Sequence, residues 1–572
     1  MINEEIVLSN TAGENFFEEE RKHIFGKVYL ANVANRLREL VNANDVDCKR
    51  WIWELVQNAK DSISGQPERT SVNIKIIVTN DTYVFMHDGS PFNKKTIFAL
   101  LYKFSEGKTN NSESTGRFGT GFLTTHTLSK TVEITSDIEI NNQIKGFSVT
   151  MYREGDDQQL LEGLSATENS FRLFKNTFGW TSYKYKAVTN RNREAGRLGI
   201  ENFKENIDKV MLFCPEINSI ELNDNGKILT INRGDVISLS DECQKIEFHI
   251  NNNDISQKKI FLYNKVEEFN GKLTERFNRE RNIRIHCAIE LDGFNNIINN
   301  SFSPSLFCSL PLVGSEDHEL PFIINSPDFE PDSERQSIFL NNDDIDEKTG
   351  KISDSGINRM ILKRSQTMFR NILKCVCNND IMKRYILAKG LRNIPQVKKF
   401  FDREWYKKYF IDPMRNILHD YPIVWNGTKY VKLNEVYIPD VKNYKNETNR
   451  MKAYGFIYKL YDEKVPTFEK SLNIEQNIWR NDNRIKYVNI EQSVKLIESY
   501  EIISSFETKI NNSWNWIDDF LLFVKRFHPE FLEWYAIIPN MENNFVKLTK
   551  TLASSTHVPE NMIECLESID IK

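Results

Sequence analysis

The sequence predicts an α/β protein that begins with an α/β sandwich, and the first 190 residues carry the observations that predict it. Apolar residues recur at helical spacing over Val28–Val46 and Lys49–Ser64, which predicts two helices before any strand. Two alternating stretches, Ser71–Thr79 and Thr82–His87, then predict a hairpin. Later strands are expected at Thr131–Thr135, Gly146–Tyr152 and Trp180–Ala187. Helices before and after a largely antiparallel sheet indicate a sandwich rather than alternating β–α–β units.

Two further regions follow this N-terminal part. Short alternating strands between about Asn218 and Ile324 indicate a second, sheet-centred α+β domain. Residues Asn341–Gly356 are rich in Asn, Asp and Lys and predict a solvated loop, whereas helical patterns dominate from Ile357 to about Leu418. Because each change of pattern marks a boundary, we expect domains over 1–200, 201–345 and 346–572, the last of them rich in helices.

The last region contains a faint internal similarity. Tyr421–Pro439 and Tyr535–Pro559 each combine an apolar strand, a polar turn, a Val-Lys-Leu strand and a closing proline. Two copies are too few for a solenoid. The pattern therefore indicates either a recurring hairpin or a chance similarity.

Composition limits the class of protein. The 572 residues carry a formal net charge of -5, are 40% hydrophobic and 27% charged, and have a mean hydropathy of -0.50, values typical of a globular protein in water. No apolar run approaches the roughly 20 residues that span a bilayer, and the first residues lack the pattern of a secretory signal. We therefore expect a cytoplasmic location and no membrane partner. The negative charge offers no general attraction to nucleic acid.

Eight cysteines are spread over the chain without a Cys-x-x-Cys pair. This spacing fits neither a disulfide framework nor a zinc site. The nearest pair, Cys375 and Cys377, lies in an apolar helical stretch. We therefore expect buried thiols.

The first group of candidate functional residues is Glu54, Asn58 and Asp61 in the segment WELVQNAKDS. Positions four apart share one face of a helix, so the Glu54 carboxylate and the Asn58 carboxamide project together, with Asp61 one turn further on. A carboxylate can polarise an attacking water, and a carboxamide oxygen can ligate magnesium without adding charge. A plain solvated helix face has the same spacing, so this group indicates chemistry only together with others.

The second group, His87-Asp88-Gly89, ends the second predicted strand. An ionised Asp88 could accept a hydrogen bond from an adenine amino group, and Gly89 would let the base approach the backbone. An ordinary Asp-Gly turn is the alternative interpretation.

The third group lies at the end of Tyr102–Thr120, a polar stretch that predicts a mobile loop leading into a helix near Gly119. Its members are Gly116, Arg117, Phe118, Gly119, Thr120, Gly121 and Phe122. Three glycines at the start of a helix leave backbone amides unhindered to bind an anion such as phosphate. A plain flexible turn would contain the same glycines.

In this order and spacing, the three groups resemble the GHKL superfamily, which includes gyrase, the large heat-shock chaperone, MutL and the sensor histidine kinases. The resemblance covers about residues 25–190 and follows the family pattern Glu-x-x-x-Asn, Asp-x-Gly and Gly-x-x-Gly-x-Gly after a variable lid. It implies a Bergerat-type ATPase domain followed by a transducer-like domain. One departure is visible, because Asp88-Gly89-Ser90-Pro91 has glycine directly after the aspartate and no second glycine, unlike the usual Asp-x-Gly-x-Gly.

The resemblance implies a role for each matching residue. Glu54 is the expected general base, and Asn58 is the expected ligand of the Mg²⁺ that accompanies ATP. Asp88 is expected to read the adenine beside Gly89. Thr181, in GWTSYKY, is expected to support that contact, and the third group is the expected phosphate loop.

Other residues complete the expected nucleotide site. Asp61 extends the helix group. Lys108 and Arg117 lie in the lid loop, where they would either touch phosphate when the loop closes or remain solvated. His126, on the helix after the glycines, is expected to be a packed residue rather than a ligand.

Two features indicate which kind of GHKL protein the chain resembles. Histidine kinases generally lack the catalytic glutamate, so Glu54 favours hydrolysis over autophosphorylation. The segment SLFCSLPLVGSEDHELPFIINSPDFEPDSERQSI resembles the strand pair after the ATPase domain of sacsin-like proteins. In that class a basic residue of the second domain reaches the terminal phosphate, and Arg335 is the candidate because a guanidinium could neutralise charge on the γ-phosphate. The alternative is a surface arginine paired with Asp332 or Glu334.

The resemblance therefore implies an ATP-driven conformational switch in which lid closure and domain docking precede hydrolysis. Relatives use such a cycle for chaperone-like remodelling, DNA handling and bacterial anti-phage defence. The expected partners are a protein or effector on another chain and a second copy bound in a nucleotide-dependent homodimer. The alternative from another class is a scaffold that binds ATP with negligible hydrolysis and recruits a partner.

Overall fold

The structure of the chain is a computed structural model. It describes residues 25–571 apart from 32, 41–42, 67, 103–120, 254, 272–280, 299–302, 333–334, 349, 351, 389–390, 392–399, 468–481, 511–512, 541, 550–552 and 555–569. The chain forms two compact units, one made of 1–375 with 395–410 and the other of 376–394 with 411–572. The boundaries predicted near 200 and 345 both fall inside the first unit.

From residue 25, where the described part of the chain begins, two helices precede the first described strand, as predicted. Helix α1 covers 25–31 and 33–39, and helix α2 covers Asp45–Asp61. A capping box starts α2, because the Asn44 side chain accepts a hydrogen bond from Asp47 N (2.9 Å) and the Asp47 carboxylate accepts one from Asn44 N (3.2 Å). The buried side of α2 includes Trp51, Leu55 and Val56, each of which contributes about 1.5–3 kcal/mol through burial.

The first unit contains one mixed sheet of 14 described strands. In chain order they are β1 Val72–Thr79, β2 Thr82–His87, β3 Thr131–Ile140, β4 Gln143–Tyr152, β5 Arg172–Phe174, β6 Thr181–Lys186, β7 Ile217–Asp224, β8 Lys227–Ser238, β9 Cys243–Asn252, β10 Ile255–Gly271, β11 Arg281–Leu291, β12 Leu306–Cys308, β13 Leu310–Pro311 and β14 Ile323–Asn325. Their order across the sheet is β13-β12-β14-β11-β10-β9-β8-β7-β1-β2-β6-β3-β4-β5.

Six further α-helices are described in this unit, and one of them extends beyond it. They are α3 Lys94–Tyr102, α4 Gly121–Thr124, α5 Asp157–Ser170, α6 Asn190–Phe213, α7 Asp354–Asn378, which runs past residue 375, and α8 Arg403–Tyr406. The helix predicted near Gly119 is described from Gly121, and it ends after one turn in a 3₁₀ turn, Thr125–Thr127.

Strand pairing explains how the predicted hairpin joins the rest of the sheet. β1 pairs antiparallel with β2, β2 with β6 and β6 with β3, while β1 pairs in parallel with β7 on its other side. One hydrophobic core runs along α2, α6 and the strands on both sides of β1. A mixed α/β fold is therefore confirmed, and it contains one continuous sheet across the first unit.

The second unit is helical with short two-stranded ladders. Its helices are α9 Asp412–His419, α10 Glu447–Tyr461, α11 Ile490–Glu498, α12 Ile503–Glu507, α13 Ser513–Phe527 and α14 Glu530–Trp534. Its strands are β15 Val424–Trp425, β16 Tyr430–Val431, β17 Tyr437–Pro439, β18 Lys486–Val488, β19 Ile538–Pro539, β20 Phe545–Val546, β21 Ala553–Ser554 and β22 Asp570–Ile571.

A short hairpin lies in each of the two segments of this unit that have similar sequences. β15 pairs antiparallel with β16, and β19 pairs antiparallel with β20. The turns share an asparagine, because the Asn426 side chain accepts hydrogen bonds from Thr428 N and Lys429 N, and the Asn540 side chain accepts them from Glu542 N and Asn544 N. An asparagine side chain that binds the backbone of its own turn is a known way to stabilise such a loop.

The described cysteines are free thiols. Six of them are buried and Cys377 is half-buried, as the sequence predicted. In the part of the chain that the structure describes, no helix is both long and apolar enough to cross a bilayer.

Candidate active site

Helix α2 is held in place by two tryptophans that bind α6. Trp51 Nε1 donates to Ala195 O (3.0 Å), and Trp53 Nε1 donates to Asn202 Oδ1 (2.8 Å). Each bond satisfies an indole N–H that would otherwise be buried unpaired, at a cost of about 1–3 kcal/mol. These contacts fix the rotation of α2 and therefore the direction of its Glu54 and Asn58 side chains.

Glu54 lies against the glycine group. Glu54 is 8% exposed, and its Oε1 accepts a hydrogen bond from Arg50 Nη2 at 3.2 Å. A methyl group added at Gly121 would lie 2.0 Å from Glu54 Oε2, so a side chain at the first residue of α4 would force the Glu54 carboxylate to move. The structure thus brings Glu54 of the first predicted group together with Gly121 of the third.

The other end of α2 lies against the second group. A methyl group added at Gly89 would lie 1.9 Å from Oγ of Ser62, the C-cap residue that directly follows α2. Glu54 and Ser62 are eight residues apart, or about 12 Å along a helix axis. The helix therefore lies against Gly121 near Glu54 and against Gly89 near Ser62. The half-buried Asn58 lies between them, one turn from Glu54 and one turn from Ser62.

Asp61 is the last residue of α2 and is half-buried. It lies three residues beyond Asn58, which puts the two side chains on adjacent turns of the same face. The helix spacing that predicted this group is therefore present in the fold.

Asp88 faces a different neighbourhood from the one expected. Its Oδ1 accepts from Asn73 N (2.7 Å) and its Oδ2 from Asn73 Nδ2 (2.7 Å). Asn73 lies on the half-exposed face of β1, where its Oδ1 also accepts from Ser219 Oγ (2.6 Å) and Asn218 Nδ2 (2.9 Å). The Asp88 carboxylate therefore belongs to a polar network on the side of the sheet opposite the buried residues of β1.

His87 and Thr181 lie together on the buried side. They are directly opposite each other in the β2–β6 ladder, and both are nearly inaccessible, with exposures of 2% and 3%. The Thr181 and Ser136 hydroxyls are 2.5 Å apart and hydrogen-bonded. Thr181 thus lies beside the end of β2, where its neighbour is His87.

Phe122, the residue after Gly121, packs against β6. Its ring centroid lies 5.7 Å from that of Tyr183 and 6.1 Å from that of His126. The same strand carries Tyr183 and Thr181, so the residue after Gly121 packs toward the strand that holds the expected base contact.

His126 is a packed residue, as expected. Its Nδ1 donates to Ser129 O (2.9 Å), its Nε2 accepts from Arg153 Nη1 (3.0 Å), and burial with the nearby Arg153 charge holds the pKa of His126 well below its ordinary value. Arg153 also donates to Leu100 O and Leu101 O at the end of α3. This guanidinium therefore ties the end of α3 to the turn that follows α4.

Arg335 is held by the backbone of β12. Its Nη2 donates to Cys308 O at 3.1 Å, and its own N donates to Asp332 O at 3.0 Å. Its φ of 53° is in the left-handed region, which indicates a constrained turn at this position. The other predicted site residues, Lys108, Gly116, Arg117, Phe118, Gly119 and Thr120, lie outside the described residues.

A cavity of about 570 Å³ lies in another part of the first unit, between α6 and β8–β11. Its polar end holds an ion cluster in which Lys259 Nζ is 2.5 Å from Asp208 Oδ2 and 2.9 Å from Glu290 Oε1. The ammonium offsets the cost of burying two carboxylates. None of the predicted residues that the structure describes lines this cavity, so it is separate from the α2 site.

No protein-family model and no curated protein matches this chain.

Sequence reasoning missed several residues of this site. Arg50 lies four residues before Glu54, and this helical spacing could have indicated the pair. His87 lies two residues before Gly89, which is the spacing of the acidic residue in Asp-x-Gly, so the departure at Asp88-Gly89 already pointed to it. The contacts of Ser62, Ser136 and Arg153 join segments far apart in sequence, and nothing local could have indicated them.

Proposed function

We propose that this chain binds ATP with Mg²⁺ at the α2 site and hydrolyses it to ADP and phosphate. The observation that carries the proposal is the position of α2, because its Glu54 lies against Gly121 and its Ser62 lies against Gly89. A carboxylate can activate a water, and a carboxamide can ligate a metal ion. A glycine lets a phosphate approach the backbone closely.

The residues fit the substrate and the metal. Arg50 is 7% exposed, and its Nη1 is buried without a hydrogen-bond partner among the described residues, so a donor is left over beside Glu54 for an anionic group. Asn58 would supply one neutral oxygen to Mg²⁺, which usually takes its remaining ligands from phosphate and water. Bound Mg²⁺ would neutralise charge on the phosphate oxygens.

Glu54 would act as the general base. Arg50 holds Oε1 and leaves Oε2 on the side of Gly121. A water attacking the γ-phosphorus would give its proton to the carboxylate as the bond to the leaving ADP oxygen breaks. The switch function, the partner on another chain, the homodimer and a role for Arg335 at the terminal phosphate remain parts of the proposal that follow from the resemblance.

The scaffold that binds ATP without turnover is the second candidate. The hydrogen bond from Arg50 to Glu54 favours it, because that bond directs one oxygen of the Glu54 carboxylate to a guanidinium and not to a water.

The Glu54→Gln variant tests the proposal and separates the two candidates. A carboxamide can still accept from Arg50 but cannot take a proton, so phosphate release should fall by about 10²–10⁴-fold. Affinity for Mg-ATP, measured by calorimetry, should stay within a few-fold. Glu205→Gln, on the exposed side of α6, is the matched control and should behave like the parent.

Each result decides between the candidates. Equal phosphate release by Glu54→Gln and the parent would remove Glu54 as the base. A parent that binds ATP without measurable turnover would favour the scaffold, and a parent that binds no ATP would overturn the proposal.

A further inference from the structure

The end of strand β2 presents His87 to the helix side of the sheet. Alternate residues Tyr83, Phe85 and His87 are buried, whereas the residues between them are half-exposed. Tyr83 packs against Trp51 of α2, with ring centroids 5.9 Å apart. Since side chains two apart on a strand share a face, His87 lies on the face that carries the packing with α2.

The surroundings of His87 fix its hydrogen-bonding character. Gly89 N donates to His87 Nδ1 at 3.2 Å, so in the neutral ring the proton is on Nε2. The ring stacks on Tyr183 at a centroid distance of 6.2 Å. Burial lowers the pKa of His87 to about 4, so the ring is neutral at pH 7. His87 therefore offers a donor, Nε2–H, beside Thr181.

Asp88 is engaged on the other face. Both of its carboxylate oxygens accept hydrogen bonds from Asn73, and Arg69 Nη2 lies 4.0 Å from Oδ2. Asp88 directly follows β2, and Asn73, which holds its carboxylate, lies on the half-exposed face of β1. His87 is the last residue of β2 and lies on the buried face of that strand, opposite Thr181 of β6.

We propose that His87, and not Asp88, is the residue that reads the purine base, by donating a hydrogen bond from Nε2 to a ring nitrogen or carbonyl oxygen of the base. The inference rests on the proposed function and concerns the same site. A carboxylate reader accepts a hydrogen bond from the 6-amino group of adenine and so requires that group. A neutral histidine donor requires a base acceptor, so the substrate class is purine nucleoside triphosphates whether or not they carry a 6-amino group.

A pair of nucleotides tests the inference on the full chain. Calorimetry with the Mg²⁺ complexes of ATP and of purine riboside triphosphate, which lacks the 6-amino group, measures how much that group contributes. We expect the parent to bind both with affinities within about threefold. The His87→Asp variant should instead prefer ATP by about tenfold or more, because its carboxylate can accept from the amino group.

Each outcome supports or overturns the inference. A parent that prefers ATP by tenfold or more overturns it, and loss of that preference in Asp88→Asn would assign the reading to Asp88. The parent measurements need no variant, so the inference remains testable if His87→Asp fails to fold. A parent that binds neither nucleotide overturns the proposed function itself, which distinguishes that failure from a wrong choice of base reader.

Discussion

Helix α2 and the end of strand β2 supply the two halves of the candidate site, and they differ in how reliably sequence spacing located their residues. On α2, Glu54, Asn58 and Asp61 lie on adjacent turns, with Glu54 buried against Gly121. At the end of β2, the expected Asp88 lies on one face and His87 on the other.

The difference comes from the two periodicities. Residues three or four apart on a helix share a face even if the helix begins a residue earlier or later. On a strand, a shift of one residue moves a side chain to the opposite face of the sheet. A prediction that two site residues share a helix face therefore survives an error of one residue in the helix boundary. A prediction at a strand end does not survive the same error.

The largest effect is expected on the α2 side, for Gly121→Ala. The new methyl group would lie 2.0 Å from Glu54 Oε2, so the carboxylate must move by more than an ångström. A displacement of that size can lower a rate by about 100-fold, and we expect phosphate release to fall accordingly.

Gly293→Ala is the matched control for this prediction. A methyl group at Gly293 meets no atom within 4 Å, so the rate should be that of the parent. If Gly121→Ala hydrolyses ATP at the rate of the parent, the contact between Glu54 and Gly121 plays no part in hydrolysis. The α2 residues would then no longer be supported as half of the site.

An intermediate effect is expected from pH at the strand end. Burial lowers the pKa of His87 from 6.5 to about 4, with Asp88 opposing the shift and Arg69 adding to it. Below pH 6.5 the unfolded chain takes up a proton that native His87 does not, so the free energy of unfolding falls as the pH drops toward 4. At pH 5 this contribution is about 2 kcal/mol.

Urea midpoints at pH 7 and pH 5 measure this effect. The parent should lose more stability between the two values than His87→Gln, which has no titrating group at this position. The remaining acid sensitivity of the variant would come from groups such as His286 and His318, whose pKa values burial also lowers to about 4. An equal loss in both proteins would contradict a neutral, buried His87.

The smallest effect is expected for Asp88→Asn. A carboxamide can keep the bond from Asn73 N but loses part of its partnership with Asn73 Nδ2, so the variant should be less stable by about 1 kcal/mol. Its change in ATP affinity should be smaller than that of His87→Asp. A larger loss of affinity in Asp88→Asn would reverse the assignment of the two residues.

The sequence by itself determined the α/β class, the first two helices, the strands that form the hairpin and the helical face with Glu54 and Asn58. These features depend on local periodicity, which is written in consecutive residues. The paired hairpins of the second unit were likewise visible as two similar local patterns.

Only the tertiary structure decided which residues meet across the site. The contact of Gly121 with Glu54 joins residues 67 positions apart, and the pairing of His87 with Thr181 joins residues 94 positions apart. The same holds for the parallel pairing of β1 with β7, which makes one sheet of two regions that local pattern had separated. Such contacts follow from packing one apolar face onto another, and no local pattern of residues encodes which faces will meet.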